Sequence, residues 1–263
     1  MPAKNSAKNN MNTELSNLLA EIDSLKNRLQ AIRPLNEEAV AKIKQAFEIE
    51  YTFESNRIEG NTLTLQETAL VVNEGITIGG KNLREHLEAI NHAQAVEYIK
   101  EIAKADIDIT ERTIKEIHAL ILHGINREQA GVYRTVQVMI AGSEHIPPQA
   151  FLIAQKMEQF IADYKQMEKN GTHPILIASF LHDRLVEIHP FIDGNGRTSR
   201  LLMNLYLLSK GYIIATLKGD NEARYTYYTA LEKSHVEQNR DTFDLLVANT
   251  VKKSMEKYLS VIE

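Results

Sequence analysis

The residue types best suited to chemistry are concentrated in one stretch of the chain, from His189 to Arg200. His189 is the residue most able to accept a proton at neutral pH, and Asp193 is a hard oxygen ligand of the kind that Mg²⁺ prefers. The turn Gly194-Asn195-Gly196 follows, and Arg197 and Arg200 add planar positive charges suited to phosphate. Together they predict phosphoryl or nucleotidyl transfer.

Two apolar helices are predicted on either side of this turn. Residues 175–188 are apolar at helical spacing and Pro190 cannot continue their helix, whereas residues 201–208 form a second apolar run. The turn therefore lies at the N-terminus of the second helix. Free backbone N–H groups and the helix dipole favour an anion there.

Other interpretations of the stretch explain less of it. A dinucleotide-binding fingerprint would need a third glycine and a preceding strand, and no P-loop sequence is present. His182, Asp183 and His189 suggest a metal-dependent phosphohydrolase, but Asp183 would point about 100° away from His182 around the helix. A capped turn between two core helices explains the glycines, but not the charged residues and the histidine together.

The stretch resembles, position for position, the signature of Fic-domain enzymes: His-Pro-Phe-x-Asp/Glu-Gly-Asn-Gly-Arg-x-x-Arg. The resemblance extends from the helix around Ser55 to the tyrosines near residue 228. It implies a mostly α-helical fold with a short β-hairpin flap. The implied reaction is AMPylation, in which a Tyr, Ser or Thr hydroxyl of a target protein attacks the α-phosphorus of ATP.

The resemblance also assigns roles within the stretch. His189 would be the general base, Asp193 would hold Mg²⁺ on the α- and β-phosphates, and Gly194-Asn195-Gly196 would cradle the phosphates. Arg197 would neutralise the charge that moves to the leaving pyrophosphate, and Arg200 would hold the γ-phosphate. The related Doc-type kinases alter the glycine-rich segment, which is intact here, so adenylyl transfer is favoured over kinase activity.

The adenine side and the flap give weaker signals. The family often uses an asparagine where Asn204 stands, and the segment containing Tyr227 and Tyr228 is similar to one whose tyrosines line the adenine pocket. Tyrosines packed along a helix edge would explain that segment nearly as well. Residues 136–146 alternate and turn at Ala141-Gly142, which predicts a β-hairpin. This hairpin resembles the flap that aligns the target peptide.

Ser55 and Glu59 are four residues apart near the end of a predicted helix and therefore share one face. The helix dipole disfavours an anion in the last turn unless a cation pairs with it. The segment resembles the inhibitory Ser/Thr-x-x-x-Glu-Gly/Asn motif of Fic proteins. This resemblance implies that Glu59 pairs with Arg200 and displaces the γ-phosphate; the alternative is a surface glutamate at a fraying helix end.

Composition limits the function classes. The 263 residues contain no cysteine, which excludes disulfides, thiolate metal sites and a cysteine nucleophile. The net charge of -5 gives no general basic field, so direct nucleic-acid binding is not expected. No run is long and apolar enough to span a membrane and no signal peptide is recognisable, so we expect a cytoplasmic protein.

The predicted organisation is one mostly helical domain behind an N-terminal arm. Residues 1–12 are polar and predicted to be disordered, residues 13–34 carry a leucine and isoleucine stripe ended by Pro34, and residues 35–263 form the Fic-type catalytic domain. The catalytic domain includes an inhibitory helix at about 37–60. The stripe is short, which favours packing on its own domain over a coiled-coil arm that would make a homodimer.

The sequence therefore predicts an autoinhibited, Mg²⁺-dependent protein adenylyltransferase that uses ATP as substrate. Its target would be a protein with a hydroxyl side chain, the chain itself included. Two alternatives stay open: a hydrolase that removes AMP at the same site, and a nucleotide-sensing, antitoxin-like module with negligible turnover.

Overall fold

The computed structural model describes residues 2–32, 37–105 and 107–262 of the chain. In these residues ten α-helices and one short 3₁₀ helix, Ala150–Leu152, follow one another. The α-helices are α1 Pro2–Ala31, α2 Glu37–Ile58, α3 Leu65–Glu74, α4 Leu83–Lys104, α5 Glu111–Ile121, α6 Ile153–Lys169, α7 Pro174–Ile188, α8 Asn195–Ser209, α9 Asn221–Val236 and α10 Asp241–Ile262. The prediction of a mostly helical fold is confirmed.

The helices begin where the sequence places capping residues. Thr64 caps α3 and Asn82 caps α4, each in a reciprocal box with the glutamate three residues later. Thr110 caps α5 by accepting from the backbone N–H of Thr113. These short-range hydrogen bonds satisfy N–H groups that the first helical turn leaves free.

Helices α7 and α8 form the centre of the fold and lie side by side. Helix α4 packs on α8, and α10 packs on α7. Leu181 and Leu185 of α7 and Leu201 and Leu205 of α8 are almost completely buried in the main hydrophobic core. The link between these two central helices, residues 189–194, is therefore held at both ends by core packing.

Helix α1 lies against α10 and lays its apolar stripe on the same core. Leu18, Ile22 and Leu25 are buried there, so the stripe packs on its own domain. Helix α1 begins at Pro2, whereas the sequence predicts disorder up to residue 12. Extending an existing helix costs far less than nucleating one, which accounts for the longer helix. The predicted stop at Pro34 lies outside the described residues.

Residues 133–149, which we call the flap, do not form the predicted β-hairpin. The chain turns at Gly142 (φ 79°), but no strand is present anywhere in the described residues. Side chains join the two arms instead: Arg134 donates to the carbonyls of Val136 and Pro148, and Gln137 donates to that of Pro147. Two prolines in the second arm have no N–H to offer a ladder, which explains the absence of strand pairing.

The helices have limited apolar length. Across the described ranges, none is both long and apolar enough to cross a bilayer.

Candidate active site

His189 follows the last residue of α7 and adopts a left-handed backbone conformation (φ 50°, ψ 58°). Its N–H caps α7 by donating to the carbonyl of Leu185, and Pro190 prevents the helix from continuing. Arg134 of the flap clamps this corner: its Nε donates to the carbonyl of His189 at 2.8 Å, and its backbone N–H donates to that of Pro190 at 2.9 Å. The histidine therefore projects from a backbone held on two sides.

The imidazole of His189 lines a large cavity. Burial lowers its pKa to about 4, and Arg134 contributes in the same direction. The ring is therefore neutral at pH 7, which is the form that can accept a proton.

The loop that follows is held by hydrogen bonds from Asn195 and by contacts with His118 of α5. The Asn195 side chain accepts from the N–H of Phe191 at 3.0 Å and donates to its carbonyl at 2.9 Å. His118 stacks on the Phe191 ring with a centroid separation of 3.6 Å. Because Gly131 donates to Nδ1 of His118, its Nε2 carries the proton and donates to the carbonyl of Asp193. Only the backbone of Asn195 is thus left to meet a phosphate.

Asp193 has a half-exposed carboxylate beside the N-terminus of α8. Its Oδ1 accepts from the Gly194 N–H at 2.6 Å, and its Oδ2 lies 2.6 Å from Nη2 of Arg84. Burial acts to raise its pKa, but Arg197, the Gly194 amide and Arg84 together lower it. Asp193 is therefore ionised at neutral pH.

Arg197 is buried on the first turn of α8 with its side chain 3% exposed. Its Nη1 lies 3.3 Å from Oε1 of Glu88, and its Nη2 lies 3.6 Å from Oδ1 of Asp193. Its Nε and Nη1 have no hydrogen-bond partner in the part of the chain that the structure describes. Buried hydrogen-bond donors normally have a partner. Because these N–H groups have none, they are available to a ligand.

Arg200, one turn further along α8, is occupied by groups of α2 and the turn that follows it. Its Nη2 lies 2.7 Å from Oε1 of Glu59 and donates to the Ser55 carbonyl at 2.8 Å, while its Nε donates to the Ser55 hydroxyl at 2.9 Å. Its Nη1 reaches the Tyr227 hydroxyl at 3.4 Å. The structure thus brings Ser55 and Glu59 together on the guanidinium of Arg200.

Glu59 lies one residue beyond the end of α2, not within its last turn. Its carboxylate rests on the first turn of α8: a Cβ added at Gly196 would lie 2.3 Å from Oε1 of Glu59. The sequence predicts this carboxylate at the C-terminal end of a helix, where the dipole disfavours an anion. In the structure it meets the N-terminus of α8, where the dipole favours one. Glu59 therefore occupies the position at which the α8 N-terminus would meet a phosphate.

The cavity above this helix end has a volume of about 920 Å³, within the range of about 300–1,000 Å³ that ligand pockets span. Glu59, His189 and Gly196 line this cavity, and α9 contributes both predicted tyrosines to its lining. Tyr227 is buried, and Tyr228 is 43% exposed with its hydroxyl donating to the Ile58 carbonyl.

Asn204, for which the resemblance implies a nucleotide-binding role, does not line this cavity. It is completely buried, and its amide donates to the Ala215 carbonyl at 3.0 Å and accepts from the Ala215 N–H at 2.7 Å. The side chain holds the chain after α8 against that helix. Because the amide is completely buried, it does not face the cavity.

The flap tip closes one side of the cavity by contacting α9. Glu232 accepts from the Ser143 hydroxyl at 2.5 Å and from the Glu144 N–H at 2.7 Å. His145 joins the flap to α7 through the Glu187 carbonyl. The flap therefore bridges the helix that ends at His189 and the helix that carries the tyrosines.

Several residues that build the site escaped the sequence analysis. Arg134, His118 and Glu232 act from distant parts of the chain, and no local pattern marks them. Arg84 and Glu88 are four residues apart on α4, which predicts an exposed helix-surface pair, but nothing local shows that both reach the Asp193 loop.

A loop with a neutral histidine and an ionised aspartate, followed by two buried arginines at a helix N-terminus, defines a site suited to a phosphate-bearing ligand. Residues 108–207 match the family model described as "Fic/DOC family". The match to a Fic domain is shown for these residues of the chain. The site residues from His118 to Arg200 lie inside the matched range.

Relatives and solved structures extend this likeness beyond the matched range. The chain is 33% identical over 241 residues to the Protein adenylyltransferase Fic of Drosophila melanogaster, covering 92% of this chain and 48% of the relative. Fic-1 (residues 134–508) from C. elegans superimposes with a TM-score of 0.86 at 26% identity, covering 95% of this chain and 73% of that one. A Fic-domain-containing signaling protein from Bacteroides thetaiotaomicron gives a TM-score of 0.77 at 27% identity, with 94% of both chains covered. The chain spans about half the length of the curated relatives that it matches.

Proposed function

We propose that this chain is a protein adenylyltransferase that moves AMP from ATP to a hydroxyl side chain of a target protein. The observation that carries the proposal is the neutral His189 beside an α8 N-terminus that bears two buried arginines. The named relatives, which are protein adenylyltransferases, support the same activity.

His189 would take the proton of the target hydroxyl as its oxygen attacks the α-phosphorus. The bond from that phosphorus to the bridging oxygen breaks, and pyrophosphate leaves. Arg197, with N–H groups free to bind phosphate oxygens, would neutralise the charge that develops on the leaving group. Catalysis of this kind consists of positioning and electrostatic stabilisation.

Mg²⁺ fits this donor set when it arrives with the nucleotide. Asp193 offers one half-exposed, ionised carboxylate, and no cluster of three or more His, Asp or Glu that could hold a metal exists within the described ranges. One carboxylate plus substrate phosphates is a common way for Mg²⁺ to be held in proteins. The ion would supply charge neutralisation at the α- and β-phosphates.

The same geometry supports autoinhibition by Glu59. Its carboxylate lies where a phosphate would meet Gly196 and takes up the guanidinium of Arg200. ATP bound against this pair would lose its γ-phosphate partner, and its α-phosphorus would be misaligned for attack. Release of Glu59 would then be the regulatory step.

The flap would align the target beside His189. It borders the cavity and is joined through Arg134 to the backbone of His189. An extended peptide laid along the flap would bring its hydroxyl towards the imidazole. Backbone pairing of this kind accepts many sequences, so it orients a target without selecting it.

Labelling with ATP carrying the label at the α or the γ position tests the proposed reaction. The Glu59→Gly variant is incubated with cell lysate and each form of ATP, with the Glu59→Gly, His189→Ala double variant as control. Beyond the labelling that the lysate gives with the control variant, we expect added protein labelling from the α position only. Labelling from the γ position alone would mean a kinase and would overturn the proposal.

A further inference from the structure

Four charged side chains close a ring between α4 and the signature loop. Arg84 contacts Glu88 through Nε at 3.1 Å and Asp193 through Nη2 at 2.6 Å. Arg197 completes the ring, since its Nη1 lies 3.3 Å from Glu88 and its Nη2 lies 3.6 Å from Asp193. The positive and negative groups alternate, so each carboxylate lies between two arginines.

The two arginines of the ring differ in their freedom to move. Arg197 is buried, whereas the Arg84 side chain is 56% exposed and reaches Asp193 from the first turn of α4. An exposed ion pair is worth little in water because solvent screens it and the long side chain loses freedom. Arg84 can therefore leave Asp193 at small cost, while Arg197 remains.

Both oxygens of Asp193 are engaged in this arrangement. Oδ1 accepts a hydrogen bond from the Gly194 N–H. Oδ2, the oxygen that would bind a metal cation, faces Arg84. Glu88 keeps other partners when Arg84 leaves, because Asn61 donates to its Oε2 at 3.0 Å and Arg197 faces its Oε1. The site is thus built to lose Arg84 without leaving a buried charge unpaired.

We propose that Arg84 competes with the metal ion for Oδ2 of Asp193. The metal–nucleotide complex must therefore displace Arg84 when it binds. The inference rests on the proposed function, since it needs a nucleotide with a divalent cation. In the unliganded protein Arg84 neutralises Asp193. It thereby reduces the gain in nucleotide affinity that Mg²⁺ provides.

The test measures ADP affinity by calorimetry with and without Mg²⁺ in the full chain. ADP has no γ-phosphate, so its binding does not require the Glu59–Arg200 pair to open. The variant is Arg84→Gln. The matched control is Arg112→Gln, which removes an exposed arginine from another i,i+4 pair with a glutamate, its partner being Glu116 and not Asp193.

We expect Mg²⁺ to strengthen ADP binding by a factor about fivefold larger in Arg84→Gln than in the wild type, the upper end for an exposed pair. Arg112→Gln should leave this factor unchanged. Asp193→Ala should abolish it, and adding Arg84→Gln to Asp193→Ala should not restore it. An unchanged or smaller factor in Arg84→Gln would overturn the inference, as would weaker ADP binding with and without Mg²⁺ alike. Failure of the wild type to bind ADP at all would instead overturn the proposed function.

Discussion

The two arginines of α8 stand one turn apart and are equally buried, yet they meet very different surroundings. Arg200 has a carboxylate, a hydroxyl and two further oxygens around its guanidinium. Arg197 lies near two carboxylates, but its Nε and Nη1 make no hydrogen bond within the described ranges. The guanidinium of Arg200 is hydrogen-bonded by the protein, whereas Arg197 retains N–H donors for a ligand.

This difference shows how a single helix N-terminus can be prepared and blocked at the same time. Burial raises the cost of any unpaired donor, so Arg197 is most stable with a ligand bound. Arg200 gains nothing from a ligand until Glu59 leaves. Glu59 raises the pKa of Arg200 despite its burial, which is the electrostatic signature of that pairing.

The largest expected effect is the loss of AMP transfer in a variant that keeps both arginines and still binds ATP. His189→Ala in the Glu59→Gly background should lower AMP transfer by roughly 10²- to 10⁴-fold, since a general base contributes about that much. Binding of ATP should persist because both arginines stay in place. The measurements are incorporation of α-labelled AMP and calorimetric titration with ATP. Labelling close to that of the parent variant would remove His189 from the role of base.

Glu59→Gly tests whether the saturation of Arg200 is inhibitory. If the inhibited state is favoured by ~3 kcal/mol, its loss raises the competent fraction roughly 100-fold, since 1.4 kcal/mol is tenfold. Auto-adenylylation of the purified protein at fixed Mg²⁺ measures the effect.

Two companion variants distinguish the pair from the residue alone. Glu59→Gln should activate less, because an amide still hydrogen-bonds Arg200. Arg200→Ala should not reproduce Glu59→Gly, because it also removes the proposed γ-phosphate partner. Unchanged labelling in folded Glu59→Gly protein would contradict autoinhibition.

A third prediction compares the two arginines directly by binding of a non-hydrolysable ATP analogue. Arg197→Gln should weaken binding about tenfold whether or not Glu59 is present, since a charge-assisted hydrogen bond is worth about 1.5–3 kcal/mol. Arg200→Gln should weaken binding only in the Glu59→Gly background, because Glu59 otherwise occupies the guanidinium. Equal losses for Arg200→Gln in both backgrounds would show that the pair does not block the site. Circular dichroism of each variant checks that it is folded.

A last prediction concerns acid stability, which does not involve the two arginines. Burial lowers the pKa of His118 and of His189 to about 4, so the folded state binds fewer protons than the unfolded state between pH 4 and 6.5. Their contribution to the free energy of unfolding is fully present above about pH 6.5 and is lost as the pH falls towards 4. Each histidine contributes a slope of about 1.4 kcal/mol per pH unit in that window.

Denaturant unfolding of His189→Ala across pH 4–7 measures this slope. It should be shallower than that of the wild type, because one buried neutral histidine is gone. The exposed His123, changed to alanine, serves as the control and should leave the slope unchanged. If the free energy of unfolding of His189→Ala depends on pH as steeply as that of the wild type, the buried ring of His189 does not have the lowered pKa.

The sequence predicted the elements of the fold that depend on neighbours along the chain. The boxes at Thr64 and Asn82 are local hydrogen bonds between residues three apart, and the structure confirms them. The β-hairpin predicted at residues 136–146 is not found in the described part of the chain, because alternation along residues 136–140 does not supply the cross-strand donors that Pro147 and Pro148 lack. The surroundings of Asn204 could not be predicted either, since only the folded chain shows that its amide meets Ala215.

By itself the sequence determined the chemistry available at the site: one stretch holds a histidine, an aspartate, a glycine turn and two arginines whose order along the chain is enough to predict an anion site. Only the tertiary structure decided the state of that site. Glu59 and Arg200 are 141 residues apart, and only a family resemblance indicated that they pair; Arg84 and Asp193 are 109 residues apart, and no sequence signal indicated their contact. Whether such groups meet depends on how α2 and α4 pack on α8, because a charge acts through distance and burial, and neither can be read from separation along the chain.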